Sequence, residues 1–428
     1  MKRNNKKMDA RRRMPVSVLA GLSRTLLGLV FIFSGVVKAI DPLGTVYKIE
    51  DYLKAFGGFF TELLPMAEVA AWALILLELL LGACMVLNIR TQWTSWVSFF
   101  FYLAMTPLTL YIALTNPVSD CGCFGDAVVL TNWQTFSKNV VLIVLAIILV
   151  ACRKYTRQLW SNWMEILLTV LTIAAAITFM VWTRLHLPLT DFRPYKIGNH
   201  LPTLMEYPED AEPDVYEYSF VYEKDGVEHT FTLENYPKGD STWTFVRTNS
   251  RLIKKGYEPP IHDFEIINAE GEDLTWDILE SEESITLVVM YDLKKADKKQ
   301  MAKVEALASN LITSSPDNLI TSSPDSLITS SPDSLITSLP DSLITSSPDS
   351  LIASSPDNLI ASSPNFYILT GSGTDDIINF CLEYPALSDY ICTCDPVTLK
   401  TIVRANPGAI VLQNGIVIDK YNLRNRPQ

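Results

Sequence analysis

The chain has few histidines and no excess of basic residues. Its four histidines, in 428 residues, all lie far in sequence from the two closely spaced cysteine pairs. Because a structural zinc site takes four protein ligands, mostly Cys and His, two cysteines alone make an incomplete site, and no metal is expected. The formal net charge of −12 argues against a nucleic-acid partner.

Basic residues are concentrated in segment 1–15, ahead of the first apolar run, and we interpret this segment as a cytoplasmic tail. No small-x-small cleavage motif ends the apolar stretch 16–40. This stretch is also longer than the apolar region of a signal peptide. It is therefore predicted to be a retained membrane span.

Long apolar runs dominate the first 185 residues. Five segments can cross a bilayer as helices, namely 17–39, 68–88, 94–115, 134–152 and 163–184. The first four belong to a predicted membrane domain over 16–155, and the fifth is an additional span. The positive-inside rule places Arg90 and segment 153–157 with the N-terminus in the cytoplasm. Loops 40–67 and 116–133, and everything after residue 186, would face the periplasm. The predicted location is the inner membrane, with the lipid bilayer as a partner.

The remaining sequence is polar. Residues 186–283 fit either a small β-rich module or an extended connector. Residues 284–428 alternate strand-like and helix-like segments in the order βαβαβαββ, which is typical of an α/β sandwich of thioredoxin type. Segment 311–364 interrupts this pattern with about seven near-identical octapeptides. We interpret the repeats as a flexible surface insertion without chemistry, with a β-solenoid as the alternative.

Cys121 and Cys123 lie in the loop that follows the third span, within Asp-Cys-Gly-Cys-Phe-Gly-Asp. A disulfide between residues two apart closes a small ring and is easily reduced, which suits an exchange site. Asp120 and Asp126 are expected to raise the thiol pKa values and so to oppose thiolate formation. The alternatives are a structural bridge or half of a metal site.

Glu78 lies near the middle of the second span, where an ionised carboxylate is costly. Such a residue suggests proton exchange coupled to thiol or quinone chemistry. The alternative is a buried hydrogen bond that orders the helices. Lys38 and Arg24 are the candidate partners for this carboxylate.

Phe33-Ser34-Gly35-Val36-Val37-Lys38, Glu78 with Gly82, and Cys121-Gly122-Cys123-Phe124-Gly125 together resemble the DoxX-like superfamily. Within it, the chain is most similar to the MauE branch, the proteins named for methylamine utilisation. Its fifth span and C-terminal domain are similar to fused versions found in Bacteroidetes. The resemblance implies a four-helix membrane core and an envelope role in electron transfer or disulfide formation. A membrane quinone is then a candidate carrier, and methylamine metabolism a candidate context.

The C-terminal domain resembles thioredoxin-like proteins but lacks their Cys-x-x-Cys after the first central strand, at 291–297. Asn406-Pro407-Gly408 is similar to the cis-proline loop of that family. Cys392 and Cys394 stand at the end of a predicted strand, before a helix whose N-terminus would favour a thiolate. They are a candidate second redox pair that exchanges with Cys121 and Cys123. The alternative is that they are core cysteines.

The sequence therefore predicts an α-helical membrane bundle followed by a thioredoxin-like domain. The favoured function is electron exchange between a membrane carrier and a periplasmic thiol or disulfide client, with Cys121, Cys123 and Glu78 as the catalytic residues. The rival is a non-enzymatic scaffold or assembly partner whose cysteines only brace a loop.

Overall fold

Five apolar helices form the N-terminal part of the computed structural model. The structure describes residues 2–118, 120–156, 159–240, 242–254, 256–313 and 364–425. Within this part of the chain, five helical segments have the length and composition of membrane spans: Val16–Ile40, Gly58–Val86, Thr91–Thr115, Asn132–Tyr155 and Asn162–Leu185. The five predicted spans are confirmed in number and in approximate position. The chain is thus a multi-pass membrane protein.

The helices of this bundle are, in chain order, α1 (Lys2–Ile40), α2 (Pro42–Phe56), α3 (Ala67–Val86), α4 (Thr91–Thr115), α5 (Asn132–Cys152) and α6 (Asn162–Leu185). A 3₁₀ segment, Gly58–Met66, precedes α3. The backbone of α1 is helical from Lys2 onward, so the basic segment predicted as a tail continues into the first span.

Glycines let α1 and α3 approach closely. A Cβ added to Gly82 would lie 2.7 Å from the backbone nitrogen of Ile32, and one added to Gly35 would lie 3.0 Å from that of Leu79. Small residues at such a contact allow the helix backbones to meet without side chains between them. About one turn away from this contact, Lys38 of α1 and Glu78 of α3 therefore face each other.

The helix α2 and the 3₁₀ segment after it form the stretch 42–66, within the predicted loop 40–67. Asp41 caps the N-terminus of α2 by accepting a hydrogen bond of 3.0 Å from the Gly44 amide, and Pro42 occupies the first helical turn. Val46 packs against Ala67 and Ala71 of the next helix. The stretch is therefore part of the bundle's packing and not only a connector.

The region after α6 begins with a short helix, α7 (Leu201–Met205), and an antiparallel sheet. Its strands are β1 (Val215–Lys224), β2 (Val227–Thr232) and β3 (Thr244–Lys254), in the order β2-β1-β3. Asp225 and Gly226 have φ values of 53° and 79°, as a two-residue hairpin requires. The sheet favours a β-rich module over an extended connector.

A five-stranded mixed sheet forms the C-terminal domain. It contains α8 (Thr275–Leu279), β4 (Ile285–Met290), α9 (Lys298–Thr313), β5 (Phe366–Thr370), α10 (Thr374–Glu383), β6 (Ile391–Thr393), α11 (Pro396–Ile402), β7 (Gly408–Gln413) and β8 (Ile416–Asn422). The strand order is β6-β5-β4-β7-β8, with β4, β5 and β6 parallel and β7 and β8 antiparallel to their neighbours. The predicted order βαβαβαββ is confirmed.

Each face of this sheet carries a hydrophobic core, as expected because every residue of β4 and β5 is buried. The helix α9 begins only at Lys298, because Asp292 first caps a 3₁₀ turn over Leu293–Lys295. The octapeptide insertion lies outside the described residues, except for Leu311–Thr313 at the end of α9 and Pro364.

Candidate functional site

The loop between α4 and α5 brings two thiols together. Gly122 and Gly125 have φ values of 63° and 53°, in the left-handed region that glycine adopts without steric cost. The amide of Gly122 donates a 2.7 Å hydrogen bond to Oδ1 of Asp120, and the Gly125 amide bonds the Gly122 carbonyl at 3.1 Å. The sequence Cys-Gly-Cys-Phe-Gly therefore folds as a tight double turn.

Cys121 Sγ and Cys123 Sγ lie 3.1 Å apart, and both are free thiols that are partly buried. A disulfide has an S–S length of about 2.05 Å. The two sulfur atoms need to move only about 1 Å closer to form the bond. A disulfide between these two cysteines, as the sequence predicts, therefore needs only a small movement of the side chains.

The two thiols differ in acidity. The hydrogen bond from Cys121, together with the positive charges of Lys138 and Lys38, lowers the pKa of Cys123 to about 6 despite its burial. The same contact, together with burial, raises the pKa of Cys121. At neutral pH the pair therefore carries one negative charge, held on Cys123.

Asp120 and Asp126 were expected to raise the pKa values of the two thiols, but other groups set these values. Asp120 forms an ion pair of 2.6 Å with Lys48, and Asp126 lies 3.4 Å from Nη2 of Arg404. Both carboxylates are therefore compensated by neighbouring cations. The hydrogen bond from Cys121 is the largest cause of the low pKa of Cys123, with Lys138 and Lys38 as further causes, and the pKa of Cys121 is raised by its neighbouring thiol and by burial.

Lys38 and Glu78 form a buried ion pair next to the thiol loop. Lys38 Nζ lies 2.8 Å from both carboxylate oxygens of Glu78, and the two residues are 5% and 4% exposed. The same ammonium donates hydrogen bonds to Ser34 Oγ at 2.7 Å and to the Cys123 carbonyl at 2.9 Å. Ser34 Oγ also donates to that carbonyl, at 2.7 Å.

Of the two partners predicted for Glu78, the structure selects Lys38. Arg24 is instead used elsewhere, where it donates to the backbone carbonyls of Met85 and Val86. Since the ammonium bridges Glu78 and the Cys123 carbonyl, the carboxylate is connected to the thiol loop through one side chain. Burying one of these charges without the other would be strongly unfavourable.

A cavity of about 370 Å³ opens beside these groups. It reaches from the thiol loop into the bundle and is lined largely by apolar side chains of α1 to α4. Both thiols, the Lys38–Glu78 pair and Lys138 also line it. Its lining also includes Tyr52, Phe101, Met105, Leu108 and Arg193.

Arg404, which follows α11, joins the C-terminal domain to the thiol loop. Its Nε lies 2.8 Å from Oδ2 of Asp41, and its guanidinium also reaches Asp126 and lies 5.2 Å from the ring centre of Tyr47. The side chain is almost fully buried. The C-terminal domain therefore packs on the same side of the bundle as the thiol loop.

Pro407 follows a cis peptide bond with Asn406, as the similarity to the cis-proline loop predicts. Asn406 Nδ2 donates a 2.7 Å hydrogen bond to the Asp292 carbonyl. This loop thus lies beside the segment where thioredoxin-like proteins carry their dithiol. Tyr291, in that segment, packs edge-on against Tyr47 of α2, with ring centres 6.3 Å apart.

Cys392 and Cys394 lie in the hydrophobic core of the C-terminal domain, 2% and 8% exposed. Burial raises the pKa of each thiol to about 12. These surroundings favour the alternative of core cysteines, and the proposed exchange with Cys121 and Cys123 stays a prediction. Among the described residues, no group of three or more His, Cys, Asp or Glu side chains is arranged to hold a metal ion.

Residues 16–152 match the family model "Methylamine utilisation protein MauE". The match spans α1 from Val16 to the end of α5, so it contains the MauE-like thiol loop, the Lys38–Glu78 pair and Lys138. Residues 216–255 match a domain of unknown function, DUF8463, which covers most of β1, all of β2 and all of β3. No curated protein and no solved structure matches the chain.

Sequence reasoning missed several cations and a tyrosine of this site. Lys138 carried a usable signal, because a lysine within an apolar helix marks a functional position by default. Tyr52, Arg193 and Arg404 had no local signal. Tyr52 lies within the MauE-like part, on α2, whereas Arg193 and Arg404 reach that part from elements that are distant in sequence.

Proposed function

We propose that the protein is a membrane thiol–disulfide oxidoreductase whose exchanging pair is Cys121 and Cys123. The observation that carries the proposal is the 3.1 Å contact of two thiols whose surroundings hold one of them, Cys123, as a thiolate. A structural bridge would not need two lysines beside one of its sulfur atoms. The match to the MauE model supports the membrane half of the proposal.

The acidity difference assigns a direction to the exchange. In the oxidised pair, a client thiolate attacks Cys121 Sγ, the bond to Cys123 breaks, and Cys123 leaves as the better leaving group because its pKa is lower. A second client thiolate then attacks the mixed disulfide and releases Cys121, which takes up a proton. The client gains a disulfide, and two electrons remain on the membrane pair.

Glu78 acts here as a positioning residue. Its carboxylate pairs with Lys38 within an apolar bundle, and Lys38 in turn donates to the Cys123 carbonyl and favours the Cys123 thiolate. This role replaces direct proton exchange as the best-supported function of Glu78. It needs no movement of the carboxylate.

The thiol loop would face the periplasm of a cell with an inner membrane, as the distribution of basic residues predicts. The C-terminal domain would be a thioredoxin-like module. Its strand order, its parallel and antiparallel pairs and the position of Pro407 support that assignment. Without a dithiol of its own, it would hold a client beside the membrane pair. The family's name supplies methylamine metabolism as one context for that client.

The experiment is thiol trapping in cells with a maleimide mass tag, before and after a brief reductant pulse. We expect Cys121 and Cys123 to be reduced by the pulse and to re-oxidise within minutes. In Cys123→Ser, Cys121 can still attack the disulfide of an oxidised client, one client thiol leaves, and no Cys123 thiol is present to release the product, so a mixed disulfide should accumulate. Cys121→Ser, which lacks the exchanging sulfur, should accumulate much less. A pair that stays in one state throughout would contradict the proposal.

The second candidate function is a scaffold, and the buried contact of Arg404 with Asp41 and Asp126 favours it. That contact would brace the C-terminal domain for an assembly partner without any redox step. The trapping experiment separates the two functions, because a scaffold predicts that Cys121→Ser and Cys123→Ser leave the phenotype unchanged.

A further inference from the structure

Within the described part of the chain, two buried polar atoms line the cavity beside the thiols without a hydrogen bond of normal geometry. They are the hydroxyl of Tyr52 and Nη2 of Arg193, in a side chain that is 5% exposed. The other nitrogen atoms of Arg193 are used, since Nε bonds Asp191 at 2.7 Å and Nη1 bonds the Thr401 carbonyl at 2.8 Å. An unsatisfied buried donor costs about 1–3 kcal/mol. Two such donors at one cavity indicate a ligand with hydrogen-bond acceptors.

The rest of the cavity restricts the ligand further. Phe101, Met105 and Leu108 of α4 line it within the span, so the ligand must be largely apolar. A volume of about 370 Å³ is sufficient for a small ring system. Burial raises the pKa of Tyr52, with a further increase from the neighbouring Cys121, so its hydroxyl keeps a proton to donate.

We propose that this cavity binds the head group of a membrane quinone, with Tyr52 and Arg193 as hydrogen-bond donors to its carbonyl oxygens and the Cys121–Cys123 dithiol as the electron donor. The inference rests on the proposed function, because each oxidised client leaves two electrons on the pair. An acceptor for them must dissolve in the bilayer and carry oxygen atoms that accept hydrogen bonds.

The step balances in atoms and electrons. Cys121 and Cys123 each lose one electron as the S–S bond forms. The two electrons, the proton of the Cys121 thiol and one proton from solvent convert one quinone to one hydroquinone, and the pair is ready for the next client. Tyr52 holds the carbonyl oxygen near the thiols and keeps its own proton.

The test uses the full chain, purified in detergent, reduced and freed of reductant without oxygen. The oxidant is 2,3-dimethyl-1,4-naphthoquinone, whose fully substituted quinone ring forms no stable adduct with thiols. Disulfide formation between Cys121 and Cys123 is followed by mass spectrometry. Diamide, a small soluble oxidant that needs no cavity, serves as the reference oxidant.

Tyr52→Phe should slow oxidation by the quinone about tenfold, the effect of one lost hydrogen bond in a desolvated site. Tyr47→Phe is the matched control, because Tyr47 is a half-buried tyrosine of the same helix, with a buried hydroxyl, and does not line the cavity. Oxidation by diamide should be equal in the wild type and both variants.

A binding measurement supplies a readout without electron transfer. A short-chain hydroquinone, which cannot oxidise thiols, should protect Cys123 from a small maleimide in the wild type and in Tyr47→Phe, and less in Tyr52→Phe. Equal protection and equal quinone rates in the two variants would overturn the quinone site, as would protection by phospholipid alone. If even diamide forms no Cys121–Cys123 disulfide, the proposed function itself fails. If diamide succeeds and the quinone does not, only the quinone site is overturned.

Discussion

Cys121 and Cys123 share their one-residue spacing with Cys392 and Cys394, but the two pairs differ in backbone, burial and nearby charge. Gly122 turns the backbone between the first two, and their sulfur atoms meet at 3.1 Å. In the second pair, Cys392 lies within β6, and an extended backbone keeps alternate residues roughly 6.5 Å apart.

The difference teaches that spacing alone does not define a redox pair. The membrane pair has lysines at the thiol with the lower pKa, whereas the pair in the C-terminal domain is surrounded by apolar core residues. Burial then raises both pKa values of the second pair.

The first prediction compares the two pairs directly. At pH 7 a thiol of pKa about 6 is mostly ionised, whereas at pKa about 12 only about 10⁻⁵ of it is thiolate. In the reduced, folded protein we expect Cys123 to be alkylated at least about 10³-fold faster than Cys392 or Cys394. Peptide mass spectrometry after timed maleimide labelling measures the rates. Comparable rates for both pairs would remove the contrast.

The second prediction concerns Glu78, which forms an ion pair with Lys38 beside the membrane thiols. Glu78→Gln removes the carboxylate that pairs with Lys38 in the bundle, which should cost about 3 kcal/mol of stability in detergent. It should also slow client oxidation while leaving membrane insertion intact. The variant Lys38→Met/Glu78→Met removes both charges and should recover most of the stability but not the client oxidation rate. Thermal unfolding and thiol trapping measure the two effects.

Equal stability of Glu78→Gln and the wild type would mean that Glu78 is already uncharged or replaceable. Full redox activity in the double variant would contradict the role of Lys38 at Cys123.

The third prediction changes one charge near the thiolate. Lys138→Gln removes a positive charge that favours the ionised form of Cys123, so its pKa should rise by roughly one unit. The pH profile of alkylation should shift upward by that amount, and the rate at pH 6 should fall. Lys154→Gln, beyond the other end of α5, is the control and should leave the profile unchanged. An unshifted profile in Lys138→Gln would assign the acidity of Cys123 to the Cys121 contact alone.

Much of the fold could be predicted from the sequence, because local patterns determine it. Hydropathy located the five spans, and the succession of strand-like and helix-like segments predicted the order βαβαβαββ of the C-terminal domain. The partner of Glu78 could be narrowed to two candidates, Lys38 and Arg24, since a buried acid in a span requires a partner.

The rest depended on contacts between distant segments. Lys138 lies next to Cys123 only because α5 packs beside the thiol loop, and Arg404 reaches Asp126 from 278 residues away in sequence. For the same reason Asp120 and Asp126 were expected to act on the thiols as unpaired charges. Their compensating cations come from other elements of the fold.

The contact of Arg404 with Asp126 has a thermodynamic consequence. If oxidation of Cys121 and Cys123 changes the position of Asp126, the affinity of the C-terminal domain for the loop depends on the redox state of the pair. Reciprocity then requires that docking of the domain shift the reduction potential of the pair by the same free energy. A client that displaces Arg404 would therefore alter the oxidising strength of the disulfide that it is about to meet.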